Sequence, residues 1–262
     1  MTTSPKRSWI ATLLVAATIA GACDKNTVQV LPTSPPLASR IKFFNFGVNA
    51  PGVNFYADAT KMTAILSATG TEATTGVAYG GVGNGGAYSS IAPASYTLTA
   101  KIAATVDKDL AIGTTTATIE DGKFYSWYLS GFYNAAAKTI DGFVVEDPPP
   151  ALDYTVAQVR LVHAIANANP LSLYRRPAGD TLAAWVLIEG PVSYKSAGAF
   201  TAVPMGIYDL AAGYPDSTTK KTIRTNVTLF GGHAYSIGAR GDITITSATA
   251  TNRPFLDNTP NY

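Results

Sequence analysis

RIKFFNFGVNAPGVNFY, residues 40–56, lies over QVRLVHAIANANPLSLY, residues 158–174, without a gap. Ile41 meets Val159, Lys42 meets Arg160, Phe43 meets Leu161, Asn49 meets Asn167 and Tyr56 meets Tyr174. Two more blocks recur in the same order: AYSSIAPASYTLTA (87–100) over AFTAVPMGIYDLAA (199–212), and TATIEDGKFYSWYLSG (116–131) over NVTLFGGHAYSIGARG (226–241). A spacing of about 110 residues is too long for a solenoid unit and suits two copies of one small sandwich domain. Successive strand residues point to opposite faces. Ile41, Phe43, Val53 and Phe55 therefore share one face, and Val159, Leu161, Leu171 and Leu173 keep it in the second copy.

From Arg40 onward, runs of Val, Ile, Tyr, Phe and Thr are broken by Gly, Pro, Asn and Ser, which is strand and turn composition. The expected fold is all-β: two tandem antiparallel β-sandwiches, Ig-like or transthyretin-like, each with its own core. Little helix is expected beyond a turn or two around Lys61–Ser67 or Thr181–Ile188. The expected division is a signal peptide (1–22), a lipidated cysteine with a Pro-rich tether (23–39), repeat 1 (40–147), a linker (148–156), repeat 2 (157–251) and a tail (252–262). Three successive prolines in EDPPPALD (146–153) favour a stiff, extended linker.

The start of the chain carries the address. Lys6 and Arg7 precede an uncharged stretch from Trp9 to Ala20, and small residues then lead to Cys23, the single cysteine of the 262 residues. A bilayer needs roughly 20 apolar residues in a helix, so this stretch reads as a removable export signal. Ala20-Gly21-Ala22-Cys23 resembles the lipobox of bacterial lipoproteins, with Ala20 where a larger aliphatic residue is usual. The resemblance implies a diacylglyceryl group on Cys23, so the membrane is an expected partner through that lipid. The protein is then exported and lipid-anchored in the bacterial cell envelope, at the outer membrane or cell surface. Removal of residues 1–22 leaves 17 basic and 17 acidic residues. A neutral chain speaks against nucleic acid, whose binding depends on a surplus of Lys and Arg. Arg175-Arg176 and Lys220-Lys221, the tight basic pairs, read as solvated loop charges.

The repeated blocks, with a strand ending in Tyr96 or Tyr208 and a Gly-x-x-Tyr strand at Gly122–Tyr125 or Gly232–Tyr235, resemble the 4397 family of domains of unknown function. The resemblance covers most of residues 40–251 and is closer in repeat 2 through Val159-Arg160-Leu161-Val162-His163. It implies β-sandwich modules in an exported bacterial protein, and no activity.

The residues that could do chemistry are few. His163 stands where repeat 1 has Asn45; both donate and accept hydrogen bonds, which suits a polar group pinning a strand end. His233 matches Lys123 in a turn, and no second His or Cys lies at metal-ligand spacing. No Gly-x-Ser-x-Gly occurs, and Cys23 is committed to lipid. YGGVGNGG (79–86) lacks the Lys-Ser/Thr ending of a phosphate loop and reads as a mobile hairpin. Asp107-Lys108-Asp109 and Glu120-Asp121-Gly122 are turn carboxylates that match no EF-hand loop. No catalytic residue, cofactor or metal is expected.

Aromatic residues say more. In KFYSWYLSG, Tyr125, Trp127 and Leu129 share the core face, while Phe124 and Tyr128 lie on a face where repeat 2 has only Ala234, Ser236 and Gly238. Phe132 and Tyr133 follow. Phe124, Tyr128, Phe132 and Tyr133 form the candidate binding face, open to two readings: a platform for another molecule, or a surface that packs against repeat 2. The expected function is a non-enzymatic lipoprotein that binds an envelope protein or glycan. A structural or assembly subunit is the alternative, and an envelope hydrolase ranks third.

Overall fold

The computed structural model describes residues 39–64, 72–215 and 217–262. The expected signal peptide, Cys23 and the tether to residue 38 lie outside the described residues.

Among the described residues, nine strands follow one another in each repeat. The first module is built from β1 (Arg40–Asn45), β2 (Val53–Ala57), β3 (Thr60–Lys61), β4 (Gly81–Val82), β5 (Ser89–Ser90), β6 (Ala94–Ile102), β7 (Ala111–Ile119), β8 (Phe124–Asn134) and β9 (Thr139–Glu146). The second is built from β10 (Val156–His163), β11 (Leu171–Pro177), β12 (Val186–Val192), β13 (Ser196–Ala197), β14 (Thr201–Pro204), β15 (Gly206–Gly213), β16 (Thr222–Leu229), β17 (Ala234–Arg240) and β18 (Phe255–Pro260). Their sheets have the same order: β4-β1-β8-β9 and β3-β2-β6-β7 in the first, β13-β10-β17-β18 and β12-β11-β15-β16 in the second, with β5 and β14 added to β1 and β10. The all-β, tandem-sandwich expectation holds. One pairing in each module departs from it, because β1–β8 and β10–β17 run parallel. Many residues and a visit to the other sheet separate these partners, so no hairpin fixes their direction.

The copies share details that alternation alone does not reveal. The Tyr96 hydroxyl donates to the Ala92 carbonyl and the Tyr208 hydroxyl to the Pro204 carbonyl, both at 3.0 Å. The amides of Glu120 and Phe230 donate to the hydroxyls of Tyr125 and Tyr235, both at 3.2 Å. Each pair closes the same turn on the same strand of its module.

Three expectations are corrected. The tail expected over 252–262 contains β18, which pairs with β17 and buries Leu256 in the second core; it is the counterpart of β9, and the sheet is one strand short without it. Near Thr181–Ile188 a non-helical turn held by Asp180 leads into β12, an edge strand on β11, and of the other expected helical turn, Lys61–Ser67, residues 65–67 lie outside the described residues. YGGVGNGG is not an open hairpin, since Gly81 and Val82 pair with Asn45 and Phe44 and only Gly83–Gly86 wind into a 3-10 turn.

Each module has its own core. Ile41, Phe43, Phe55, Leu98 and Trp127 fill the first and Val159, Leu161, Leu173, Leu210 and Ile237 the second. A third cluster joins them: Phe44, Phe46, Tyr128, Phe143 and Val145 from the first module meet Val162 and Ala164 from the second. The β1-containing sheet and the β10-containing sheet thus face each other through the sides turned away from their own cores. The described residues consequently belong to one compact unit rather than two separate ones.

Candidate functional site

The aromatic face expected along β8 resolves into three environments. Tyr128 is 1% exposed, stacked on Phe44 at 4.3 Å and on Phe143 at 5.3 Å. Phe124 is half-buried in a ring cluster with Tyr88 at 5.2 Å and Tyr262 at 5.1 Å. Phe132 is exposed at the other end of β8, and Tyr133 leans on the first core. No common platform exists, and Tyr128 is unavailable to another molecule. The reason lies across the junction. Gly238, at the position equivalent to Tyr128, sits so close to Phe46 that a Cβ there would lie 2.5 Å from the ring. Large rings on one module meet the bare backbone of the other, and burying them together removes both surfaces from water.

Beside this apolar seam lies a buried charge network that the sequence reading missed. Lys42 and Arg160, equivalent in the repeat, both point into the junction, and both are almost wholly buried with Asp147. Arg160 pairs with Asp147 Oδ1, its Nε donates to Ser236 Oγ at 2.9 Å, and its Nη1 donates to the Glu146 carbonyl at 2.9 Å. Asp147 Oδ2 accepts from Ser126 Oγ and from the Tyr88 hydroxyl, both at 2.7 Å. Lys42 Nζ donates to the Pro260 carbonyl at 2.5 Å and lies 4.2 Å from the centre of the Tyr88 ring. The Tyr262 hydroxyl donates to the Asp147 carbonyl. The signal for this network is a basic residue inside an apolar run at the same place in both copies, Ile41-Lys42-Phe43 and Val159-Arg160-Leu161.

Burial pulls the Lys42 ammonium from 10.5 down to about 8, with Asp147 opposing the fall and Arg160 adding to it. Burial, together with the Asp147 charge, keeps the phenols of Tyr88, Tyr128 and Tyr262 protonated well above the usual tyrosine range. Between pH 8 and 10.5 the unfolded chain holds a Lys42 proton that the native protein does not, so this residue's contribution to stability rises with pH across that window and is flat on either side. Urea denaturation at pH 7.5, 8.5 and 9.5 should therefore show wild type gaining on Lys42→Met as pH rises. A pH-independent difference between the two would contradict the depressed lysine.

At the opposite ends of β1 and β10, Asn45 and His163 are both fully buried. Asn45 Nδ2 donates to the carbonyls of Pro51 at 3.0 Å and Val77 at 2.9 Å. His163 Nδ1 accepts from the Ile165 amide and Nε2 meets the Asn169 carbonyl, both at 3.2 Å. Each ties the following loop six residues on. Burial lowers the His163 imidazole below its ordinary range, against the pull of the Asn169 carbonyl.

The basic pairs expected as solvated loop charges lie instead over aromatic rings. Lys220 Nζ stands 3.4 Å from the centre of the Tyr174 ring, Lys221 covers Tyr214 at 5.0 Å, and Arg175 covers Tyr208 at 5.0 Å. The Arg176 guanidinium lies 4.5 Å from Trp185 and donates through Nη2 to Asp209 Oδ2 at 3.2 Å. Such contacts bury the side-chain stems and orient the charges. On this outer sheet of the second module, Tyr174, Trp185, Pro215, Ser217, Thr218 and Lys220 line an open cleft of about 400 Å³. Leu187, the in-register neighbour of Tyr174, is exposed beside it. The first module keeps Tyr56 at the place of Tyr174, but its in-register neighbour is Lys61 and Lys101 covers its ring at 4.4 Å. Both tyrosines are thus buried under a lysine, and among the described residues the copies differ in the in-register neighbour, Leu187 in the second and Lys61 in the first, and in Trp185. Among the described residues, no three His, Cys, Asp or Glu side chains converge as metal ligands would.

The model of the Domain of unknown function DUF4397 matches residues 39–174, which spans the first module, the proline linker, β10 and the first part of β11. The match stops at Tyr174, short of the repeat blocks that continue to residue 241. No curated protein matches the sequence. Among solved structures the chain is similar to the Bacillus anthracis TIE protein, with 12% identity, a TM-score of 0.24 and coverage of 77% of this chain and 33% of that one. It thus spans about a third of that protein's length. It is also similar to CBMbc, of family CBM26, from Eubacterium rectale Amy13K, solved with maltoheptaose, with 10% identity, a TM-score of 0.23 and coverage of 85% and 95%. At TM-scores this low, neither says what this chain binds.

Proposed function

The chain belongs to the DUF4397 family, and on that footing we propose that it is a non-enzymatic, lipid-anchored protein of the bacterial cell envelope whose second module binds an envelope protein or glycan. The observation that supports this reading is the cleft between Trp185 and Tyr174. It sets the half-buried Trp185, backed by Arg176, beside the hydroxyls of Ser217 and Thr218 and the ammonium of Lys220 that lies over the buried Tyr174, a mixture that suits a sugar ring or a protein side chain. Comparison of the copies supports it further: a feature present in one repeat and replaced in the other is not needed to make the fold. The junction supports it too, because the module that carries the cleft is packed against the first through a buried cluster.

Trp185→Ala is the test. Purified mature protein is offered separately to isolated envelope glycans and to detergent-solubilised envelope proteins, and the arm that binds wild type identifies the partner class. The substitution is expected to weaken binding about tenfold or more, as loss of an aromatic anchor does, with the circular dichroism spectrum unchanged. Equal binding by the variant would remove the cleft from the proposal.

The assembly-subunit reading draws on a separate observation. Leu187, Ile207 and Ile223 expose large apolar side chains on the same outer sheet, and a stoichiometric partner retained through detergent extraction would favour it.

A further inference from the structure

We propose that the end of the molecule where the chain enters the first module faces the membrane, and that Leu152, Tyr154, Met205 and Phe230 seat in the interfacial layer of the bilayer that holds the acyl chains on Cys23. The inference rests on the lipoprotein reading and adds a second, non-covalent contact to it.

The entry point is well defined. Ser39 Oγ donates to the Glu120 carbonyl at 2.9 Å, and the Arg40 amide donates to the Lys123 carbonyl at 3.0 Å, so the chain arrives at the β7–β8 turn. Phe124, closing that turn, packs against Tyr262, whose carbonyl lies 3.2 Å from His233 Nδ1 in the β16–β17 turn of the second module. The equivalent turns of both modules are therefore neighbours at one end of the body. The other end of the junction is marked by Ser130 Oγ donating to the Ala164 carbonyl at 3.1 Å, about six strand residues further along both sheets.

The four apolar side chains collect at the entry end. Gly232 lies against Tyr154, where a Cβ would come within 2.8 Å of the ring, so linker and turn are held together. Phe230 begins that turn, and its ring lies 6.1 Å from that of His233. Met205 follows Pro204, which pairs with Val156, and precedes Gly206, which pairs with Leu229. All four side chains are more than half exposed. The first module carries Glu120-Asp121-Gly122-Lys123 where the second has Phe230-Gly231-Gly232-His233. One turn has kept its charges, and the other presents an aromatic ring.

The occupant follows from where the rest of the chain goes. Residues 23–38 connect this end to the acylated cysteine, and 16 residues cannot reach further than roughly 55 Å. Held at that range, the patch meets the bilayer at an effective concentration on the order of millimolar, so a weak affinity suffices to keep it seated. Tyrosine suits the position because its ring enters the acyl boundary while its hydroxyl stays among the headgroups. At the same end Glu120, Asp121, Glu146 and Asp153 outnumber Arg40 and Lys123, which argues against attraction to anionic lipid. The contact is therefore apolar, and added salt should not release it.

The test uses the full exported chain carrying Phe230→Trp, reconstituted in phosphatidylcholine vesicles whose acyl chains are brominated near the headgroup, with wild type in the same vesicles as the baseline. Trp127, buried in the first core, and Trp185, on the outer sheet of the second module, are present in both and set the same baseline. The variant is expected to show at least twofold more quenching than wild type, to keep that excess in 0.5 M salt, and to lose it when Tyr154→Asp and Met205→Asp are added. Intact mass is read on the same sample. An unmodified Cys23 overturns the lipoprotein reading and this inference with it. An acylated Cys23 without excess quenching overturns this inference alone, as does quenching that salt abolishes or that vanishes because a co-purified protein covers position 230.

Discussion

Asp147→Ala is expected to lower the unfolding free energy by about 3–5 kcal/mol, the usual cost of removing one partner from a buried ion pair. In a body of this size that moves the thermal midpoint down by roughly 6–20 °C. The carboxylate is fully buried and serves Arg160, Ser126 and Tyr88 at once, with Lys42 close enough to feel its charge. Without it, two buried cations face each other with no counter-charge, and two hydroxyls lose an acceptor. Asp147→Asn separates the two effects, since the amide keeps an oxygen for Ser126 or Tyr88 but no charge. Loss of stability close to that of the alanine variant assigns the cost to electrostatics. The combined replacement Lys42→Met, Asp147→Leu and Arg160→Met should recover the electrostatic part of the loss and leave the part owed to the Ser126 and Tyr88 hydroxyls, which still lack an acceptor. Urea midpoints decide it: a loss under 1 kcal/mol for Asp147→Ala would mean that the cations reach water in solution and that the junction is looser than its geometry.

The fold was legible because both copies obey the same alternation. Phe43 and Leu161, or Trp127 and Ile237, occupy one face in each repeat, and that face became the core. The junction was hidden by the same rule. A strand with a single buried side should be polar on the other, yet β1 reads Phe43-Phe44-Asn45 followed by Phe46, apolar on both sides. Periodicity cannot say which molecule covers the second side. The small residues of β17 set beside the large ones of β8 held the missing information, since Gly238 and Tyr128 are complementary surfaces. β18 was overlooked because Pro254 and Pro260 bound its hydrophobic pair and none of the three aligned blocks contains its counterpart, β9. Trp185 and Tyr174 were separately visible, but only the hairpin of β11 and β12 brings them to one cleft.

Tyr128→Ala carries the second large expected effect, about 3–5 kcal/mol, as for other buried aromatic side chains cut back to a methyl group. Tyr128 is wedged among Phe44, Phe46 and Phe143, with ring centroids 4.3–5.4 Å away, so its neighbours cannot close the gap without breaking their own stacking. The location of the damage distinguishes this variant from an ordinary core mutant. Neither module's own core loses a side chain, so far-ultraviolet circular dichroism at low temperature should stay close to wild type while the modules uncouple. Hydrogen exchange should rise at the amides of β8, β9 and β10 that line the seam and stay slow in β6 and β15, which lie in the outer sheets. Gly238→Val approaches the same seam from the other side, forcing a side chain against Phe46 where a single Cβ already lies 2.5 Å away, at a cost of about 1–3 kcal/mol from overpacking. If the aromatic ridge and the bare strand are one interface, the two substitutions are non-additive, because the second acts on a junction the first has already opened. Additive losses, or exchange that rises equally in β6 and β15, would show that Tyr128 stabilises the first module internally and that the modules are joined by the charge network alone.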